Sequence, residues 1–233
     1  MCRLQGGAYH HLAKVLRCCP GENVEVFDGK GKSFLAHIQT LDSKEIRLAL
    51  TKESVHTPGV PLCLLQALLR QPARFEWVLQ KATELGMAEF WPLLTERSLQ
   101  TQPTSPKRQA RWQKIVEEAS RQSQRNHLPK LQACLPLEEA LNQQPPNCQL
   151  LLLNESETQL LLREVLRETF ASAKPSGKLA VLVGPEGGWT PGEVALAQQK
   201  GALSVGLGPC ILKAETAGLA VLSILQFMVG QLG

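Results

Sequence analysis

The sequence predicts an α/β fold: a mostly parallel sheet covered by helices on both faces, preceded by a small β-rich unit. Three observations carry this. From residue 61 onward, strand-like and helix-like segments alternate, as successive βαβ units do. Several of the strand segments, PLCLLQALL and KLAVLVG among them, are apolar at nearly every position, as strands buried on both faces are. Residues 22–50 instead alternate apolar and polar side chains around a glycine-containing turn, the pattern of antiparallel hairpins.

Taken in order, residues 8–19 have helical spacing at Leu12, Val15 and Leu16, and Pro20-Gly21 stops them. ENVEVF, the turn Asp28-Gly29-Lys30-Gly31, SFLAHIQ and EIRLAL then read as three strands. One helix and a few strands over about 50 residues make a very small core, so this unit is expected to lean on the rest of the chain or to lack a first strand. TPGVP at 57–61 reads as a linker. PLCLLQALL is a strand, FEWVLQKATELG a helix with Gly86 in C-cap position, and MAEFWPLL a strand. A long polar helix spans 106–125. QLLLLNES is a strand ending at Asn154, TQLLLREVLRETFASA an amphipathic helix, and KLAVLVGPEGG a strand. A helix, the strand LSVGLG and a final helix, ETAGLAVLSILQFMVGQ, complete the chain. That last helix is apolar nearly all round, so it is expected to be buried, in part against a second subunit.

The chain is 43% apolar and 20% charged, ordinary for a soluble globular protein. No run of eighteen apolar residues suggests a membrane span, and MCRLQGGAYHHLAK lacks the apolar core of a secretory signal. A cytoplasmic protein is expected. The seven cysteines include no C-x-x-C pair, so free thiols and no metal site are expected. The net charge of +4 is uneven: residues 1–130 carry +7 and residues 131–233 carry −3. Pro106 to Lys130 alone holds seven cations and two acids. This asymmetry suits an anionic partner such as a nucleic acid.

The stretch LVGPEGGWTPGEV, residues 182–194, places glycines at a strand end, where open parallel sheets bind ligands. Thr190-Pro191-Gly192-Glu193 matches a capping box with proline at the first helical position, so Gly184 to Gly188 form a rigid turn. The stretch is neither G-x-G-x-x-G nor G-x-x-x-x-G-K-[ST], and Glu186 would repel a pyrophosphate there. A ligand that is neutral or cationic at this point fits better. LGPCILKAETAG, residues 207–218, repeats the design, with Glu215 near a helix N-terminus. With LLLLNES, three strand ends could build one pocket out of backbone.

KATELG, TERS, EEASRQSQR, LVGPEGGWTPGE and LGPCILKAETA together resemble the 16S ribosomal RNA uridine-N3 methyltransferases of the SPOUT superfamily, from about His11 to the C-terminus. The resemblance implies a SPOUT methyltransferase domain with a C-terminal trefoil knot over residues 61–233, preceded by a PUA-like β-barrel RNA-binding domain over residues 1–56. It implies S-adenosylmethionine as cofactor, a homodimer, and 16S rRNA of the small ribosomal subunit as substrate. By the same resemblance, Leu153, Asn154, Gly184, Pro185, Glu186, Gly187, Gly188, Leu207, Gly208, Ile211, Leu212, Thr216 and Ala217 hold the cofactor. The sequence departs from the family at three places. The family's first Arg-x-Arg-aromatic strand is missing, so the chain is expected to start about where the family's first helix does. Gly208-Pro209-Cys210 stands for Gly-Pro-Arg. Leu212-Lys213-Ala214-Glu215-Thr216 stands for Leu-Arg-Thr-Glu-Thr, and Lys213 keeps the charge but not the bidentate fork.

Methylating uracil N3 requires losing the N3–H proton, hence a base or a cation that stabilises the uracil anion. Glu186 and Glu215 are the candidate bases and Lys213 the candidate cation. Arg17, Lys81, Arg97, Arg121 and Arg125 are the candidate RNA contacts. The rivals are another SPOUT enzyme acting on tRNA or on a ribose 2′-oxygen, and a non-catalytic RNA-binding protein with a degenerate pocket. A dinucleotide oxidoreductase is disfavoured, because no fingerprint follows any strand.

Overall fold

The computed structural model describes residues 1–55, 59–98, 104–171 and 177–232. It divides into two units, Met1–Pro58 and Gly59–Gly233. Two positions of the expected linker (Thr57 and Pro58) and the last two residues of the expected helix ending at Ala173 lie outside the described residues.

The first unit is a four-stranded antiparallel sheet. It comprises β1 (Cys2–Leu4), α1 (Gly6–His10) continuing as a π-type turn (His11–Val15), β2 (Asn23–Phe27), β3 (Lys32–Leu41) and β4 (Ile46–Val55), in the order β1-β4-β3-β2. The β2–β3 turn forms where the sequence indicated: the Asp28 carboxylate accepts the N–H groups of Lys30 and Lys32 at 2.7 and 3.1 Å. Ala36, Ile38, Ile46 and Leu48 form its small core, with Leu4, Tyr9 and Leu12 packed against them. A first strand does exist, contrary to expectation. Cys2, Arg3 and Leu4 pair antiparallel with Leu48, Arg47 and Ile46. Three residues are too few to show alternation, so the sequence hid them. The expected helix over 8–19 is shorter, because Arg17 adopts φ 55°, which breaks the helical path before Pro20.

The second unit contains β5 (Leu62–Ala67), α2 (Pro72–Glu84), β6 (Glu89–Leu94), α3 (Pro106–Gln122), β7 (Lys130–Leu131), β8 (Leu135–Pro136) and α4 (Leu137–Asn142). These are followed by β9 (Gln149–Leu153), α5 (Leu162–Thr169), β10 (Leu179–Val183), α6 (Pro191–Gln199), β11 (Leu203–Val205) and α7 (Ala214–Met228). The sheet is parallel throughout, in the order β11-β9-β10-β5-β6-β7, with β8 also on β6. The central strands β5 and β10 are buried at every residue, which accounts for their apolar runs, interrupted in β5 only by the buried Gln66. Residues of α2, α3, α5 and α7 pack on one face; residues of α4 and α6 pack on the other. No usable signal marks β7, β8 and α4 in the sequence, since their two to six residues span too little of either period. The long polar helix ends at Gln122 rather than 125, and Gln124 at φ 54° marks the break. The amphipathic helix starts at Leu162, because residues 155–161 form the loop that follows β9.

The last helix buries one side against its own chain. Its Ala217, Val221, Leu222 and Leu225 side is buried on the sheet, but Ile224 is 43% and Phe227 65% exposed. The chain leaves β11 at the sheet edge, beside β9, and α7 packs against β10 and β5. Residues 206–213 therefore run back past the ends of β9 and β10.

Candidate active site at the strand ends

The loops after β9, β10 and β11 enclose a cavity of about 450 Å³ at the C-terminal ends of the strands. That is the size of a cofactor or nucleoside site. The strand-end position follows from the parallel sheet; the shape follows from how the glycine loop is fastened.

Four attachments hold that loop. Trp189 Nε1 donates to the Leu153 carbonyl at 2.9 Å, tying it to the end of β9. Both Glu186 oxygens accept the backbone N–H of Arg70, at 3.0 and 3.1 Å, tying it to the loop after β5. Arg97 Nη1 donates to the carbonyls of Gly187 and Trp189, at 2.7 and 3.2 Å. The capping box forms as expected: Thr190 Oγ1 accepts from Glu193 N, and Glu193 Oε2 accepts from Thr190 N. Glu193 Oε1 also accepts Glu96 N at 2.8 Å, so the cap doubles as a tie between loops. Two glycines are required here. A Cβ on Gly184 would sit 3.2 Å from the Trp189 ring, and Gly188 has φ +68°, a conformation other L-residues rarely adopt.

The cavity brings together most of the residues singled out in the sequence. Leu153, Asn154, Gly184, Pro185, Glu186, Gly188, Leu207, Gly208, Ile211, Leu212 and Ala217 line it, as do Lys213 and Glu215. Gly187 and Thr216 do not; the Gly187 carbonyl is taken by Arg97 and the Thr216 amide by the Lys213 carbonyl. Lys213 is the N-cap of α7, with its side chain exposed. Glu215 stands in the first turn of α7 and accepts Arg74 Nη1 at 3.2 Å, while its second oxygen, Oε2, is buried and has no donor among the described residues.

The five candidate RNA cations divide. Arg17 is exposed in the first unit. Lys81 pairs with Glu84 at 2.9 Å and Arg121 pairs with Glu118, both within one helix. Arg97 belongs to the cavity wall. Arg125 donates to the Thr83 carbonyl at 2.8 Å, and burial pulls its guanidinium down to about 10; it braces α2 against the end of α3. Sequence reading missed Arg74, Glu155, Glu157 and Trp189 on the lining. The Glu157 carboxylate is held below its ordinary value by the N–H groups of Gln159 and then Leu160. Trp189 was legible as the one aromatic directly after the glycines; Arg74 carried no signal, because α2 brings it to the cavity from 141 residues away.

The lining can take a neutral heterocycle with a sugar. Among the described residues, the N–H groups of Leu207, Gly208, Ile211 and Leu212 make no backbone hydrogen bond, so the segment offers donors to a ligand. Glu155 and Glu157 on the lining leave room for positive charge. Among the described residues no group of three His, Cys, Asp or Glu could hold a metal ion, and no helix is long and apolar enough to cross a membrane.

A parallel α/β sheet with a backbone-lined cavity at its strand ends is the setting in which α/β domains bind their ligands. The family is narrower. Residues 56–226 match the family model of the RNA methyltransferase domain and residues 4–51 that of the RNA methyltransferase PUA domain; the chain belongs to this RNA methyltransferase family. It is 35% identical over 92% of its length to the ribosomal RNA small subunit methyltransferase E of Synechocystis, covering 69% of that protein. To the Bacillus subtilis protein of the same name it is 26% identical over 96% of its length, covering 89%. The crystal structure of the Neisseria gonorrhoeae methyltransferase E, bound to S-adenosyl methionine, superposes with a TM-score of 0.84 at 32% identity, over 97% of this chain and 91% of that one.

Proposed function

We propose that this protein transfers a methyl group from S-adenosylmethionine to N3 of one uridine in the 16S rRNA of the small ribosomal subunit. The observation that carries the reading is the fastened glycine loop on one cavity with Leu207, Gly208, Ile211 and Leu212, whose amides make no backbone hydrogen bond among the described residues. The likeness to a relative bound to the same cofactor supports it. In this reading the backbone from Gly184 to Gly188 and from Leu207 to Leu212 holds the adenine and ribose, and Leu153, Asn154 and Ala217 complete the site, with Thr216 behind its wall. The segment 206–213 is the strand of a trefoil knot, and the first unit is a PUA-like barrel that grips RNA. The enzyme acts in the cytoplasm as a homodimer, joined through the exposed Ile224 and Phe227 side of α7.

When bound, the cofactor supplies a sulfonium-borne methyl group. The chain holds the extruded uracil in line with it and favours the loss of the N3–H proton. Glu186 is the less suited of the two acids, since both its oxygens already accept an amide. Lys213 has no partner among the described residues and supplies positive charge at the mouth of the site. In this reading Arg17, Lys81 and Arg121 contact phosphates, Lys81 and Arg121 by exchanging Glu84 and Glu118 for them; Arg97 and Arg125 serve RNA through the loops they brace. Expressed in cells that lack their own enzyme, the chain should restore N3-methyluridine to digested 16S rRNA; its absence would refute the assignment.

A further inference from the structure

We propose that Arg74, anchored by Glu215, is the cation that stabilises the uracil ring as N3 loses its proton. This rests on the uridine-N3 reading above. Three cations line the cavity: Arg74, Arg97 and Lys213. Arg97 is committed to two loop carbonyls. Lys213 is exposed and unanchored. Arg74 alone is both held and in reserve. Its Nη1 donates to Glu215 Oε1 at 3.2 Å, no other protein acceptor is recorded for it among the described residues, and its side chain is 40% exposed. A guanidinium has five N–H donors in a planar fork, so donors remain for a ligand on a side chain that lines the cavity. The Glu215 side chain is only 13% exposed, so the anchor is seated in the wall rather than in water.

The pair fits the chemistry. Arg74 and Glu215 together are neutral, so they do not repel a positively charged donor. Uracil N3 lies between two carbonyls, and removing its proton spreads negative charge onto both oxygens. A fixed fork of N–H groups meets such charge better than a flexible ammonium. In the step, the N3–H bond breaks and the proton passes to water. The pair left on N3 forms the bond to the methyl carbon, whose bond to sulfur breaks with its electrons staying on sulfur. Arg74 is the charge-stabilising residue and Glu215 a positioning residue; this assigns Glu215 the anchoring of Arg74 rather than the uptake of the proton.

The test uses R74A, R74K, E215Q and the R74A/E215Q double variant, with small subunits as substrate and calorimetry for the cofactor. For R74A, kcat should fall on the order of 100-fold, with KM and cofactor affinity within about twofold of wild type. R74K should recover part of the loss. E215Q should lose less than R74A, and the double variant should be no worse than R74A alone. Subunits carrying 5-fluorouridine, whose N3–H is more acidic, should shrink the R74A defect. Unchanged turnover in R74A, loss of cofactor affinity, additive losses in the double variant, or a defect that persists on the fluorinated substrate would each overturn the proposal. A wild-type enzyme that makes no N3-methyluridine would instead refute the uridine-N3 reading itself.

Discussion

Cys210 is exposed on the cavity wall, whereas burial pushes the thiols of Cys63, Cys134 and Cys148 up to about 12, 11 and 11. Reactivity belongs to the thiolate, so near neutral pH iodoacetamide should label Cys19 and Cys210 well before those three. Bound S-adenosylmethionine should protect Cys210 and not Cys19. Peptide mass spectrometry reads both, and equal protection of the two would detach Cys210 from the cofactor site. At this scale the sequence was informative where residues are contiguous. Glu186, Lys213 and Glu215 reach one cavity because they stand at strand ends already marked by glycine and proline. The partners of Glu186 and Glu215 were hidden, because the Arg70 amide comes from the loop after β5 and Arg74 from α2. Arg97 and Arg125 had been expected at RNA; what the sequence could not show is that backbone carbonyls claim both.

The β10–α6 turn is the element on which the site depends. Gly184→Ala would push a methyl group against the Trp189 ring, packed at 3.2 Å from that position. The indole anchors the loop to β9, so the variant should cost about 1–3 kcal/mol of stability and weaken cofactor binding. Thermal unfolding and calorimetry read the two effects; an unchanged midpoint with unchanged affinity would mean the loop is not seated as described. At the opposite end of the sheet, Lys178 reaches Glu89 at 2.9 Å. Burial would raise the Glu89 carboxyl, but the bond and charge of Lys178 outweigh it and hold the group below its ordinary value. Burial would likewise lower Lys178, but the nearby Cys63 sulfur and Glu89 hold it above. A depressed carboxyl contributes stability above its unfolded value and loses it as pH falls through the folded one. A raised ammonium keeps its contribution until pH rises through its folded value. Glu89→Gln should therefore destabilise by about 1–2 kcal/mol at pH 7, moderated because a quarter of the Glu89 side chain is exposed. The difference should fade below about pH 4; a penalty that stays constant to pH 3 would rule the ion pair out as its source. The long, unbroken strands and capped helices were readable because each carries two or more periods or a cap signal. β1, β7, β8 and α4 were not, since pairing rather than pattern defines such short pieces.

For the whole molecule, the sequence indicated the order of units and the alternation of strand and helix, because both are local. How residues 206–213 return from β11 to α7 is a property of the path, which no residue announces. The exposed Phe227 side of α7 bears on assembly. In the proposed homodimer, Phe227→Glu should lower the mass seen in sedimentation to that of one chain and leave the circular dichroism unchanged; a variant still dimeric would place the contact elsewhere. The most direct test of the central claim is transfer of labelled methyl from S-adenosylmethionine to small subunits from cells without this enzyme, with the modified atom mapped by mass spectrometry. The predicted result is N3-methyluridine at one site of 16S rRNA. Label on tRNA, on a ribose oxygen or on no RNA at all would contradict it.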